Sequence, residues 1–303
     1  MAAAIIQVKN LTKDFKDVRA VDDLSFNVQA GKVYGFLGQN GAGKSTTIRM
    51  LLTLIEPTTG IIEIFGLDIK KHRKEVLRQI GAIIEKPDLY KFLTALENLR
   101  LFAAMSGIKI QESKLLDQLA KVGLADRAHS KIKTYSQGMK QRLGIAVALV
   151  HDPLLIILDE PMNGLDPQGI ADVRNLILHL SKDLGKTLFI SSHLLNEMEQ
   201  IADSMLIINK GKKITEGAKE KLLNPAATQV ELITDNKEDT ERKIRETKWG
   251  NFLIKNDNEN ILLEIDKMQI PELNRTLVEK EINVISLRPK HSLEDFFLSL
   301  TGH

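Results

Sequence analysis

The chain has 303 residues, a hydrophobic fraction of 43%, a charged fraction of 27% and a formal net charge of +2. That length holds a large α/β domain and a small one, and so balanced a charge gives no argument for a nucleic-acid partner. No cysteine is present, which excludes disulfides, thiolate catalysis and sulfur-ligated metals. Ile5 to Val8 and Leu24 to Val28 read as strands, with Phe15 between them in Leu11-Thr12-Lys13-Asp14-Phe15. The apolar run Val33-Tyr34-Gly35-Phe36-Leu37 reads as a buried strand and leads into Gly38-Gln39-Asn40-Gly41-Ala42-Gly43-Lys44-Ser45-Thr46. This is G-x-x-x-x-G-K-[ST], a phosphate-binding loop, in the context it requires between a strand and the apolar helix Thr46 to Leu54. Its three glycines let the backbone curl so that successive N–H groups face β- and γ-phosphate oxygens. Lys44 supplies a point charge and Ser45 a ligand for Mg2+. The positive end of the helix adds to the attraction, and a nucleoside triphosphate is the expected ligand.

Ile80-Gly81-Ala82-Ile83-Ile84 is the next strand and ends in Glu85-Lys86-Pro87. Thr94 and Glu97 have the spacing of a capping box that opens a helix, and Glu112 to Gly123 gives another. An all-helical insertion is therefore expected between Glu85 and Ser136. Tyr135-Ser136-Gln137-Gly138-Met139-Lys140-Gln141-Arg142-Leu143 then introduces the helical run Met139 to Val150. The unbroken apolar run Leu154 to Leu158 ends in Asp159-Glu160-Pro161. A plain core strand with that ending would leave two charges near low dielectric without partners, whereas magnesium and a reacting water supply a reason for them. Asn163-Gly164-Leu165-Asp166 follows, and Thr187 to Ser192 reads as another buried strand with His193 at its end. A histidine met alone is usually structural or exposed. Met205 to Asn209 and the turn Lys210-Gly211-Lys212 close this part, whose alternation predicts a parallel-sheet α/β core with an antiparallel N-terminal part.

The phosphate loop together with Tyr135 to Leu143 resembles the ATP-binding cassette (ABC) ATPases, whose signature usually reads L-S-G-G-Q. Ser136 and Gly138 hold their places, while Tyr135, Gln137 and Met139 replace the leucine, the first glycine and the glutamine. The resemblance implies the P-loop NTPase fold of ABC ATPases and Mg2+-dependent hydrolysis of ATP. Gly38, Asn40, Gly41, Ala42, Gly43, Lys44, Ser45 and Thr46 would bind nucleotide, and Asp159 would join Ser45 in holding the metal. Glu160 would accept a proton from, or polarise, the attacking water, which His193 would orient. Ser136 and Gly138 would cap the γ-phosphate of a nucleotide held by another subunit, with Asn163 to Asp166 touching that subunit. Two ATPase subunits, alike or different, then share each site. Phe15 stands where the family places a ring on adenine, with a core phenylalanine as the competing reading. Stacking reads only a base's face, so base selectivity is expected to be loose, with GTP admitted beside ATP.

Glu85 occupies the position where most ABC ATPases have glutamine, which trades a donor and an acceptor for acceptors and a charge. With Leu93-Thr94-Ala95-Leu96-Glu97-Asn98-Leu99 it resembles the bacitracin-resistance and lantibiotic-immunity branch, and a drift from glutamine in another exporter branch is the alternative. The carboxylate is expected to approach magnesium or the lytic water when the site closes. Leu143 to Val150 and Leu154 to Leu158 fall far short of the ~20 residues of a membrane helix. Met1 to Ile5 lacks the basic region and long apolar stretch of a signal peptide. The resemblance thus implies a cytoplasmic subunit, peripheral on the inner face of the membrane, that drives export of an antimicrobial peptide, antibiotic or lipid-like substrate. Its permease would be a separate chain that meets the helical insertion. The alternative is a soluble ABC ATPase of translation or DNA repair, which usually carries a second cassette or long coiled coils that this sequence lacks.

The domain boundary is expected near Asn224-Pro225, giving an ABC domain over 1–224 and an accessory domain over 225–303. In the latter, strands at Gln229–Thr234, Phe252–Lys255, Ile261–Ile265 and Asn283–Leu287 alternate with helices at Glu238–Lys248 and Pro271–Lys280. That β-α-β-β-α-β order suits a ferredoxin-like domain. Ser292 and Asp295 are spaced to cap a last helix, Leu293 to Leu300.

Overall fold

The computed structural model describes residues 4–223, 228–254 and 260–290. Contacts divide the chain into two compact units, Met1–Ala218 and Lys219–His303. The break therefore precedes a short helix, where the sequence reading draws it after Asn224.

The first unit opens with strands β1 (Ala4–Asp14) and β2 (Arg19–Gln29), then β3 (Val33–Leu37), helix α1 (Lys44–Leu51), β4 (Thr59–Ile64), β5 (Leu67–Asp68), α2 (Arg73–Leu77) and β6 (Ile80–Ile83). The helical insertion follows with α3 (Ala95–Met105) and α4 (Glu112–Lys121), and α5 (Gln137–Ala148) comes directly after it. The unit ends with β7 (Leu155–Asp159), α6 (Pro167–Lys182), β8 (Thr187–Ser192), α7 (Leu195–Ile201), β9 (Ser204–Asn209) and β10 (Lys212–Ala218). One sheet has the order β2-β1-β4-β5 and is antiparallel, and the other has the order β10-β9-β3-β8-β7-β6. In the second sheet β9, β3, β8, β7 and β6 run parallel, with β10 antiparallel at the edge.

Residue patterning explains which strand lies where. Strands β3, β7 and β8 are buried at every position, as parallel strands covered on both faces must be. Strand β2 alternates, burying Val21, Leu24, Phe26 and Val28. Phe26 of β2 packs with Tyr34 and Phe36 of β3 and Phe189 of β8, at ring-centroid separations from 5.3 to 6.0 Å, so four aromatic rings tie one sheet to the other. Helix α3 begins at the expected capping box: Glu97 N–H donates to Thr94 Oγ1 at 3.2 Å, and Thr94 N–H donates to Glu97 Oε2 at 2.7 Å. That second bond holds the Glu97 carboxyl below its ordinary pKa.

The second unit contains α8 (Lys219–Leu223), β11 (Thr228–Thr234), α9 (Lys237–Arg245), β12 (Leu253–Ile254), β13 (Ile261–Ile265), α10 (Ile270–Glu279) and β14 (Val284–Lys290). Its antiparallel sheet has the order β12-β13-β11-β14, so each of two β-α-β units places a strand between the two strands of the other. The elements match the sequence reading in kind, with ends shifted by a few residues. Residue 255, most of the turn at 256–260 and the helix expected at Leu293–Leu300, with its cap Ser292 and Asp295, lie outside the described residues.

Trp249 is the chain's one tryptophan and lies fully buried among Ile244, Leu263, Leu273 and Leu277. Its Nε1–H donates to Thr276 Oγ1 at 3.0 Å. Thr276→Val keeps the branched shape and strands that donor, so it should destabilise the second unit by about 1–2 kcal/mol. A lower denaturant midpoint in tryptophan fluorescence checks this, because the signal comes from that unit alone.

Candidate nucleotide-binding and hydrolysis site

The buried strand β3 delivers the chain into the phosphate loop, where Gly38 N–H donates to Ser192 O at 3.3 Å and Ala42 N–H to Gln39 O at 3.1 Å. Gly43 N-caps α1 with φ +104°, and a Cβ there would stand 2.5 Å from Ala20 O, so both conformation and space require glycine. The loop lines a cavity of about 450 Å³, to which Asn40, Gly41, Gly43, Lys44, Ser45, Thr46 and Glu160 contribute. Lys44 is 6% exposed; its Nζ donates to Gly38 O at 2.6 Å and Gln39 O at 3.2 Å.

Strand β7 ends at Asp159, buried to 1% exposure. One carboxylate oxygen of Asp159 accepts from Ser191 Oγ–H, and the other, Oδ2, is buried without a partner. Glu160 follows with φ +51° and donates its N–H to both Ser191 O (3.2 Å) and Ser191 Oγ (3.0 Å). Its carboxylate lies between two groups: Oε1 is 3.1 Å from Lys44 Nζ, an ion pair by distance without hydrogen-bond direction, and Oε2 is 2.7 Å from His193 Nδ1. The His193 backbone N–H reaches the same oxygen at 3.3 Å. Lys44, Asp159, Glu160 and His193, read from three separate segments, thus converge on one place.

The orphaned Asp159 Oδ2 and the Ser45 hydroxyl are hard oxygen donors and suit Mg2+. Among the described residues no cluster of three or more acidic or histidine side chains could hold a metal unaided. A metal here would take its remaining oxygens from phosphate and water, as Mg2+ commonly does.

The other expected residues stand apart from that centre. Phe15 lies at the tip of the β1–β2 hairpin, half exposed, with Lys13 Nζ 5.1 Å from its ring centroid, so it does not belong to the core. Glu85 has φ +62°, is largely exposed and pairs with Arg49 Nη2 at 2.6 Å, away from the cavity lining. Ser136 N-caps α5, accepting from Met139 N–H at 3.2 Å, and Gly138 is buried in its first turn. Neither lines the cavity. Beside them Tyr135 is buried, which pushes its phenol pKa up, and its hydroxyl donates to Arg127 O at 2.7 Å. Asp166 N-caps α6, accepting from Gly169 N–H at 2.9 Å.

Three residues were not singled out by sequence reasoning. Ser191 touches Asp159 and Glu160 at once; its signal is a hydroxyl inside an apolar strand that runs beside the acidic one. Asn98 is fully buried and grips the loop after β6, accepting from Tyr90 N–H at 2.9 Å and donating to Tyr90 O and Thr94 O. A polar residue on the apolar face of α3 was its signal. Arg19 lines the cavity, held by Asp14 at 2.8 Å and Asp22 at 3.1 Å. Ser191→Ala removes the donor to Asp159 and should slow triphosphate hydrolysis by roughly 10–100-fold, the usual effect of losing a group that orients a ligand. Steady-state phosphate release checks this, and an unchanged rate would deny Ser191 the role.

Residues 21–163 match the ABC transporter family. The chain is 43% identical to the bacitracin transport ATP-binding protein BcrA of Bacillus licheniformis, a likeness that covers 99% of this chain and 98% of that protein. It is 42% identical to the lantibiotic transport ATP-binding protein SrtF of Streptococcus pyogenes, over 70% of this chain and 90% of that one. A solved ATP-binding subunit of an ABC transporter superposes with a TM-score of 0.64 at 34% identity, covering 72% of this chain and 91% of that one. These relatives are transport subunits, which disfavours the translation or DNA-repair alternative. No helix among the described residues is long and apolar enough to cross a membrane. The chain belongs to the ABC transporter family, as an ATP-binding and ATP-hydrolysing subunit.

Proposed function

We propose that this subunit hydrolyses ATP with Mg2+ in a site completed by a second ATPase subunit, and that the resulting motion energises export of an amphiphilic antimicrobial through a separate membrane permease. The observation that carries the chemistry is the Glu160 carboxylate, spanning Lys44 at 3.1 Å and His193 at 2.7 Å. The substrate class rests on likeness to BcrA over nearly the whole of both chains.

Each side chain then has a defined task. Phosphate-loop N–H groups and Lys44 bind the β- and γ-phosphates, and transfer to phosphate frees Lys44 from Glu160. Glu160 accepts the proton of the attacking water, with His193 fixing the carboxylate and contacting the γ-phosphate. Ser45 and Asp159 would hold Mg2+, which neutralises phosphate charge when bound. Phe15, exposed at its hairpin tip, stacks on the base. Ser136, Gly138 and the N-terminus of α5 supply donors to the nucleotide of the partner subunit, identical or different, because they stand outside their own chain's cavity. Glu85 couples closure to the permease more than it serves chemistry. The subunit works at the inner face of the membrane and needs no nucleic acid.

Glu160→Gln should keep nucleotide binding and slow hydrolysis by roughly 10²–10⁴-fold, the contribution of a positioned base. Sedimentation of that variant should show a dimer with Mg-ATP and mostly monomer with ADP, and adding Ser136→Arg should abolish the difference. A wild-type hydrolysis rate would remove Glu160 from its role, and one oligomeric state in every condition would remove the shared site.

Glu85→Gln preserves volume, so ATPase activity should stay within about tenfold of wild type, under roughly 1.4 kcal/mol of barrier. Bacitracin or lantibiotic survival of cells expressing the full transporter should fall further. Equal losses would put Glu85 in the chemical step, and survival independent of the transporter would overturn the substrate class.

A further inference from the structure

Arg19, Lys44 and Lys210 are the long cationic side chains lining the nucleotide cavity. Arg19 is held by Asp14 and Asp22, and Lys44 by two loop carbonyls and Glu160. Lys210 is exposed, and its ammonium has no hydrogen bond or ion pair among the described residues.

The backbone beneath Lys210 is firmly held. It forms the turn between β9 and β10 with Gly211, whose N–H donates to Ala42 O at 3.0 Å and whose carbonyl accepts from Asp22 N–H at 2.9 Å. Gly211 has φ +80°, and a Cβ there would meet Ala20 O at 2.9 Å. The turn is therefore bolted to the phosphate loop on one side and to β2 on the other. Lys210 itself has φ +47°, a left-handed conformation that asparagine or glycine adopts more readily than lysine. The turn alone gives no reason for lysine there, whereas a cavity that receives a polyanion does.

The other lining residues narrow the phosphates concerned. Glu160, with Lys44 and His193, is assigned to the γ-phosphate, and the β1–β2 hairpin that brings Val18 to the cavity carries Phe15, assigned to the base. Lys210 belongs to neither group and lines the cavity from the turn whose Gly211 N–H donates to Ala42 O of the phosphate loop. We propose that Lys210 supplies a positive charge to the α- and β-phosphates common to ATP and ADP, setting nucleotide affinity without a part in cleavage. The inference rests on the nucleotide reading of this cavity.

Calorimetric titration of the full chain with ADP and with a non-hydrolysable ATP analogue tests it, alongside steady-state kinetics. Lys210→Asn suits the left-handed turn but lacks the charge. It should weaken both nucleotides equally, by about three- to tenfold, and raise KM by the same factor with kcat within about twofold. Lys210→Arg should restore affinity, and the difference from wild type should shrink in high salt. Unchanged affinity in Lys210→Asn would make the residue a solvated surface lysine and overturn the proposal. Loss for the ATP analogue alone would move the contact to the γ-phosphate, and Lys210→Arg as weak as Lys210→Asn would assign the effect to something other than charge; either outcome overturns it. Lys44→Ala run in parallel must lose binding, and if it does not, the nucleotide reading of the cavity fails instead.

Discussion

The in-register parallel pairing of β3, β8 and β7 is the constraint on which the site depends. Leu37 pairs with Ser192, and Asp159 with Ser191, so the phosphate loop, the acidic pair and His193 all leave the sheet at one edge. Ligands in parallel α/β sheets bind at that carboxyl edge because the loops that can reach them emerge there. A slip of one residue in β7 would turn Asp159 to the other face and break its contact with Ser191. With all three strands buried on both faces, polarity does not mark this register; the Ser191 bonds to Asp159 and Glu160 do.

Convergence of charge at that edge has its own cost, and the hydrogen bonding offsets it. Lys44 and Asp159 are almost fully removed from water, and an unpaired buried ion is strongly destabilising. Lys44 meets two carbonyls and Glu160, and Asp159 meets Ser191. Two acceptor positions remain less than satisfied, Asp159 Oδ2 and Glu160 Oε1. Both belong to the acids assigned to the metal and the attacking water, so the stability deficit falls where cations and protons are to be received.

What the sequence made legible follows from how local each feature is. The phosphate loop, the capping box of α3 and the strand ending in Asp159-Glu160 are written in consecutive residues, and each appears where its spacing implied. Ser191 was not legible because its meaning comes from register with β7, which one strand cannot state. Asn98 hid inside an apolar helical face, where its side chain replaces missing backbone partners of a loop eight residues earlier. Phe15 was ambiguous between core and surface until the hairpin placed it at an exposed tip. The boundary expected near Asn224-Pro225 rests on a change of pattern along the chain, while contacts divide it before α8.

Little energy holds Glu85 in its place. Its pair with Arg49 is exposed on both sides, and such pairs are worth about 0–1 kcal/mol. The residue sits at φ +62°, where an L side chain is held under mild strain. Glu160 shares that left-handed backbone, but Glu85 has only an exposed partner, which makes it the least anchored of the acids assigned to the site, in contrast to Asp159 and Glu160 at the buried strand end. An element that must carry motion between nucleotide and permease has to belong to the low-stability end of the structure. Arg49 lies on α1, the helix that begins at Lys44. In the proposed coupling role, release of Glu85 would be linked through one short helix to the phosphate loop, and the same carboxylate anchored like Asp159 could not move without dismantling the sheet edge.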